Sequence, residues 1–145
     1  PVKINFSDMA RDLELSRDEL PKYLEYLEKA ELVSVLRMKA NGDAILRKMD
    51  KLYLQNSNMS YVLSGENPDT GNARKTIFYC WTKQKYDTVE SPVSDFEIDG
   101  KTFEVGGRNK GKKQISNLKD AYVVKDTIEY VFDNQVPLWM FGFLY

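Results

Sequence analysis

Asp99-Gly100 lies between two short stretches of alternating apolar and polar residues, within Ser94 to Lys113 (SDFEIDGKTFEVGGRNKGKK). The dipeptide is a strong signal for a two-residue β-hairpin, because a type I′ turn needs positive φ at both central positions. Fixing the turn fixes the register: Ile98 opposite Lys101, Glu97 opposite Thr102, Phe96 opposite Phe103 and Asp95 opposite Glu104. Side chains alternate across a strand, so Phe96, Ile98, Phe103 and Val105 share one face. The other face carries Asp95, Glu97, Thr102 and Glu104.

The apolar face must pack on a core. The acidic face sets two carboxylates opposite each other, with Cβ atoms roughly 4.5–5.5 Å apart. Like charges so placed repel unless a cation lies between them. One reading is therefore a divalent-metal site of the kind found in PD-(D/E)xK nucleases, with Mg²⁺ or Mn²⁺ held by Asp95 and Glu104. The other is a solvated hairpin face whose charge is balanced by Arg108, Lys110, Lys112 and Lys113 downstream. A lysine two residues after Glu104 would share its face, but Gly106 stands there.

The 145 residues suffice for one ordinary domain or two very small ones. At 42% hydrophobic and 30% charged, the composition is that of a soluble globular protein. No apolar run is long enough to span a membrane and no signal-peptide pattern is present, so no membrane partner is expected. The single cysteine, Cys80, permits no internal disulfide and fits a reducing, cytoplasmic setting. With no histidine, a Ser-His-Asp triad, a Cys-His pair and a zinc site are excluded. A net charge of −1 gives no global attraction for nucleic acid.

Along the chain, residues 1–48 read as helix, helix and hairpin. Ser7 is expected to cap a short helix, and Ser16 to Glu19 has the capping-box form. The helix that follows shows Leu20, Tyr23, Leu24, Leu27 and Ala30 on one face. Leu32 to Leu36 reads as a strand, Asn41-Gly42 as a turn and Ala44 to Leu46 as the return. This is the back half of a winged helix, but the longer helix carries Arg17, Lys22 and Lys29 against Asp18, Glu19, Glu25, Glu28 and Glu31. Three positives against five negatives make it a poor partner for phosphates.

Residues 49–145 read as a second, α/β unit. Lys51 to Leu54 is a short strand, Met59 to Leu63 a short helix, and Asn72 to Lys85 a helix with Ala73, Ile77, Cys80, Trp81 and Gln84 on its buried stripe. Lys110 to Asn117 is expected to be helical, with strands at Ala121 to Val124 and Ile128 to Phe132. The last nine residues, PLWMFGFLY, are too apolar to lie wholly in water. Trp139 is expected to be the deepest of them, with some aromatic surface left for a partner.

Lys51 to Leu54 with Asn56 to Leu63, Phe103 to Ile115 (FEVGGRNKGKKQI), Ala121 to Val124 and Pro137 to Tyr145 resemble the C-terminal region of a family of prokaryotic AAA-type ATP-binding proteins. That region is usually catalogued as a domain of unknown function. The resemblance implies that the chain is the tail of a longer protein, in which a P-loop ATPase precedes a winged helix and a restriction-endonuclease-like fold. It implies a partial winged helix over 1–48 and a PD-(D/E)xK nuclease-like α/β sandwich over 49–145. ATP would belong to the N-terminal ATPase part, since no G-x-x-x-x-G-K-[ST] occurs here.

The nuclease pattern carries over in part. Asp95 and Glu104 match the two acidic positions. The lysine position falls on Gly106, and the helix that often carries a Glu after an Arg has Arg74 followed by Lys75. Lys110 could supply the missing charge only if Gly106-Gly107 fold the chain back, because four extended residues span roughly 13 Å. The expectation is a non-catalytic interaction or recognition module with a degenerate nuclease-like site, docking on its own ATPase region or on a second copy. The alternatives are a metal-dependent DNA nuclease using Asp95, Glu104 and Lys110, or a DNA-binding domain using Arg108, Lys110, Lys112 and Lys113.

Overall fold

A computed structural model describes residues 1–39, 49–65, 68–110 and 115–144. The fold is mixed α/β with two sheets. The first sheet has three antiparallel strands, with β3 (Met49–Leu54) between β1 (Val2–Lys3) and β2 (Val33–Arg37). The second has five, in the order β4 (Thr88–Glu90), β5 (Phe96–Ile98), β6 (Lys101–Gly106), β7 (Ala121–Lys125) and β8 (Gln135–Pro137). Its first three strands form an antiparallel meander, and β7 and β8 continue it in parallel. The three-stranded sheet draws strands from both sides of the 48/49 boundary expected from sequence.

Near the N-terminus lie α1 (Phe6–Asp12) and α2 (Leu20–Lys29). Asn5 caps α1, accepting from the Ser7 and Asp8 amides, so Ser7 is inside the helix and not its cap. The capping box at Ser16 forms reciprocally: the Ser16 amide donates to Glu19 at 2.9 Å and the Glu19 amide to Ser16 Oγ at 3.2 Å. Leu20 and Leu24 are buried on α2, while Tyr23 and Leu27 of the expected stripe stay exposed. Glu28 anchors α2 to β2, accepting from the Val35 amide at 2.7 Å and pairing with Arg37 at 2.8 Å. The turn expected at Asn41-Gly42 and the strand at Ala44 to Leu46 lie outside the described residues.

The helix α4 (Thr70–Thr82) joins the two sheets. Phe78 packs on Phe96 and Phe103, at ring centroid distances of 5.1 and 5.5 Å. Tyr79 lies 5.0 Å from Tyr53, and its hydroxyl donates to the Val35 carbonyl at 2.9 Å. Leu36 and Tyr53 of the first sheet thus share one apolar cluster with Phe96, Ile98, Phe103, Val105 and Val124 of the second. The buried stripe differs from the expected one: Thr76, Phe78, Tyr79 and Thr82 are buried with Ala73, while Trp81 is exposed. The expected stripe left out the apolar Phe78 and Tyr79 as well as the threonines Thr76 and Thr82. The threonine hydroxyls donate back to the Asn72 and Phe78 carbonyls at 2.9 Å each, and so can be buried at little cost.

The hairpin register is as read from the turn, with Phe96, Glu97 and Ile98 opposite Phe103, Thr102 and Lys101. Both turn residues have positive φ, 49° at Asp99 and 78° at Gly100. The short helix α3 (Asn58–Ser64) forms where expected. The segment Ile128 to Phe132 is not a strand. Phe132 and Gln135 exchange backbone hydrogen bonds across a tight turn, Asp133 takes φ 53°, and the place beside β7 goes to Gln135–Pro137. Of the helix expected at Lys110 to Asn117, residues 111–114 lie outside the described residues, and 115–117 form a turn.

The C-terminal apolar run is not a strand either. Leu138–Phe143 forms a 3-10 helix, in which residues three apart eclipse each other. Leu138 is therefore buried and Phe141 packs on Phe78 at 4.7 Å, while Trp139, one residue on, is 50% exposed. The expectation of deepest burial at Trp139 is overturned by this three-residue period. Trp139, Met140 and Phe143 leave an apolar surface, and Gly142 sits against the Trp81 ring. We predict that Phe78→Ala lowers stability by about 3–5 kcal/mol through the cavity it leaves. Trp139→Ala should cost about 1 kcal/mol or less. Urea unfolding of the two variants checks the order.

Candidate functional site

Glu104 is placed by the register of β6. Its partner across the parallel ladder is Val123, so the two share a face with Thr102 and Ala121. Ala121 and Val123 cluster with Ile115, which covers that face. The carboxylate face is thus not a solvated surface: Glu104 is 2% exposed. A charge so buried must be paired, since the alternative is several kcal/mol of lost hydration.

Lys110 supplies the pairing, its Nζ contacting Glu104 Oε1. The Lys110 amide donates to the Gly107 carbonyl at 3.0 Å, closing a turn that brings the chain back over β6. The route runs through space that a side chain at position 106 would fill. A Cβ on Gly106 would lie 2.5 Å from Cβ and Cγ of Lys110 and 2.8 Å from its Cδ. A lysine from downstream therefore lies over Gly106 and against Glu104. Gly107 makes similar room for Arg74, whose guanidinium carbon would lie 3.1 Å from a Cβ there. Arg74 Nε pairs with Asp126 Oδ2 at 2.5 Å.

Asp95 lies just before β5, where the hairpin ladder stops. Its Oδ2 accepts from the Val105 amide at 3.0 Å. In a continued ladder that amide would bond to the Ser94 carbonyl, so the carboxylate ends the pairing at Phe96–Phe103. Its Oδ1 receives Lys75 Nζ of α4 at 2.5 Å. Ser94 Oγ donates to Glu104 Oε2 and lies 3.2 Å from the Phe103 carbonyl. All four carboxylate oxygens of Asp95 and Glu104 thus meet protein donors: Lys75, the Val105 amide, Lys110 and Ser94. Among the described residues, no three Asp, Glu, Cys or His side chains converge as a metal-binding group.

Of the basic residues named from sequence, Arg108 is exposed and Lys110 is tied to Glu104. Lys112 and Lys113 lie outside the described residues. Burial pushes the Cys80 thiol up to about 11, and its Sγ donates to the Leu54 carbonyl at 3.5 Å. Sequence reasoning missed Ser94 and the Arg74–Asp126 pair. The adjacency of Ser94 to Asp95 was the one available signal for the first. The second joins residues 52 apart and left no local trace.

No protein-family model, curated protein or solved structure matches this chain. No helix among the described residues is long and apolar enough to cross a membrane.

The packing of Lys110 over Gly106 gives a direct test. Lys110→Met keeps most of the stem but strands the buried Glu104 carboxylate. We expect a loss of about 2–4 kcal/mol in urea unfolding. Gly106→Ala should destabilise as well, by forcing the Lys110 stem off β6, whereas Arg108→Met should change stability by less than about 0.5 kcal/mol.

Proposed function

We propose that this chain is a non-catalytic interaction module with a nuclease-like α/β architecture and a degenerate metal site, working as the C-terminal region of a larger AAA-type ATPase. The observation that carries the reading is the occupancy of the two carboxylates. Mg²⁺ demands six oxygen ligands in near-octahedral array, and Mn²⁺ favours a similar oxygen set. Here Lys75 stands against Asp95 and Lys110 against Glu104, so each negative charge already has a fixed cation. Lys75 also brings a positive charge from α4, where the nuclease pattern often has a carboxylate. The half-exposed Trp139, with Met140, Phe143 and Trp81, offers the kind of aromatic surface that anchors a protein contact. Its occupant under this reading is the ATPase region or a second copy.

One observation favours a second reading, a Mg²⁺- or Mn²⁺-dependent DNA nuclease. Lys110 reaches Glu104 through the space left at Gly106. A lysine there could stabilise a developing phosphoryl charge if a metal displaced Lys75.

Calorimetric titration with Mn²⁺ and a DNA-cleavage assay separate the two. The expected result is no saturable Mn²⁺ binding at this site and no metal-dependent cleavage. Lys75→Glu, which exchanges a cation for a third carboxylate, should gain Mn²⁺ binding that Asp95→Ala then removes. Cleavage by the wild type that falls more than about tenfold in both Asp95→Ala and Lys110→Ala would establish the nuclease instead.

A further inference from the structure

A second pair of acids lies away from this site, where the two sheets meet. Asp50 is on β3 and Glu90 ends β4, and a bridge between Met38 and Glu90 brings the sheets together at this point. Both acids line a cavity of about 660 Å³ with Lys3, Lys39, Ser91 and Glu97. Asp50 is 6% exposed. Its Oδ2 and the Oε2 of Glu90 are both out of reach of solvent, and neither accepts a hydrogen bond from a donor among the described residues. The two side chains meet each other instead.

Two ionised carboxylates in such contact repel in a poorly solvated space, and one proton between them turns the repulsion into a hydrogen bond. We propose that Asp50 and Glu90 share one proton, making a carboxylic acid–carboxylate hydrogen bond that ties the three-stranded sheet to the five-stranded sheet and is lost when the proton leaves.

The lysines around the pair work against the shared proton. Lys51 of β3 holds Glu90 Oε1 at 2.8 Å, which favours the ionised form of Glu90. Lys39, after β2, is engaged by Glu97 of β5 at 2.5 Å. Lys3 of β1 lies opposite Lys51 in the ladder and lines the same cavity. Against these cations, burial first, and then the hydrogen bond with Asp50, raise the Glu90 carboxyl above the ordinary glutamate range. An acid whose pKa is higher in the folded state than in the unfolded chain stabilises the fold while protonated. That contribution is lost as pH rises through the folded-state value.

Thermal unfolding at about pH 5 and about pH 8 reads this out. The melting temperature of the wild type should fall between the two by about 3 °C more than that of Glu90→Gln, which has no proton to lose. Asp50→Asn supplies a permanent donor to Glu90 and should flatten the dependence likewise, whereas Glu97→Gln should keep the wild-type slope. Should the variants fail to fold, a carbon-detected NMR titration of the wild type suffices. The Glu90 carboxyl must then titrate above the ordinary glutamate range. Parallel slopes for wild type and Glu90→Gln would overturn the proposal, as would an ordinary titration of Glu90. So would Mn²⁺ raising the melting temperature of the wild type at about pH 8 but not that of Glu90→Gln, which would mark the pair as a cation site.

Discussion

A carboxylate buried inside a sheet has to be paired, and the surroundings of Glu104 are arranged around that requirement. Ile115, Ala121 and Val123 remove water from its face of β6. Ser94 and Lys110 then supply the donors that water would have given. The requirement also accounts for the sequence nearby. Gly106 has to lack a side chain because the Lys110 stem crosses it, and the turn at Gly107 carries the lysine back. Asp95 is used similarly, one oxygen closing the hairpin ladder and the other holding Lys75 of α4.

The same helix that delivers Lys75 to Asp95 also carries the core. Phe78 and Tyr79 are consecutive residues that both touch Phe96, and Tyr79 also reaches the first sheet. Phe78 meets the hairpin aromatics Phe96 and Phe103, and Tyr79 reaches Tyr53 and the Val35 carbonyl. Fixing α4 against both sheets at once positions Arg74 and Lys75 over the ends of β5 and β6. Packing and site are therefore not separable: a shift of α4 that loosened the aromatic cluster would also withdraw the cation from Asp95. The Asp50–Glu90 contact lies at the junction of the same two sheets, at the edge of the second one.

Errors of the sequence reading cluster where a residue's partner is distant or the backbone period is unusual. The stripe read on α4 left out the apolar Phe78 and Tyr79 as well as Thr76 and Thr82, whose hydroxyls are satisfied within the helix. Trp139 was misplaced because composition alone does not say which side of PLWMFGFLY is covered, and the 3-10 helix turns Leu138 and Phe141 inward instead. Ile128 to Phe132 alternates well enough for a strand, yet the edge of the sheet beside β7 was taken by the less apolar Gln135–Pro137. In this last case tertiary competition overrode a plausible local pattern.

The sequence by itself determined the hairpin, because Asp99-Gly100 admits few turn types and the side-chain period of two propagates its register. It determined the capping box at Ser16, where two residues three apart satisfy each other's amides. It also singled out Asp95 and Glu104 by their opposed places in the hairpin register, and Lys110 as a charge that Gly106-Gly107 could fold back toward them. Only the tertiary structure decided what those groups do. Burial of Glu104 depends on Ile115 and on β7, which arrive later in the chain. The cation on Asp95 comes from a helix 20 residues earlier. Whether a carboxylate is free for a metal or already neutralised is a question of which charges the fold brings within hydrogen-bond distance, and spacing along one chain does not contain that answer.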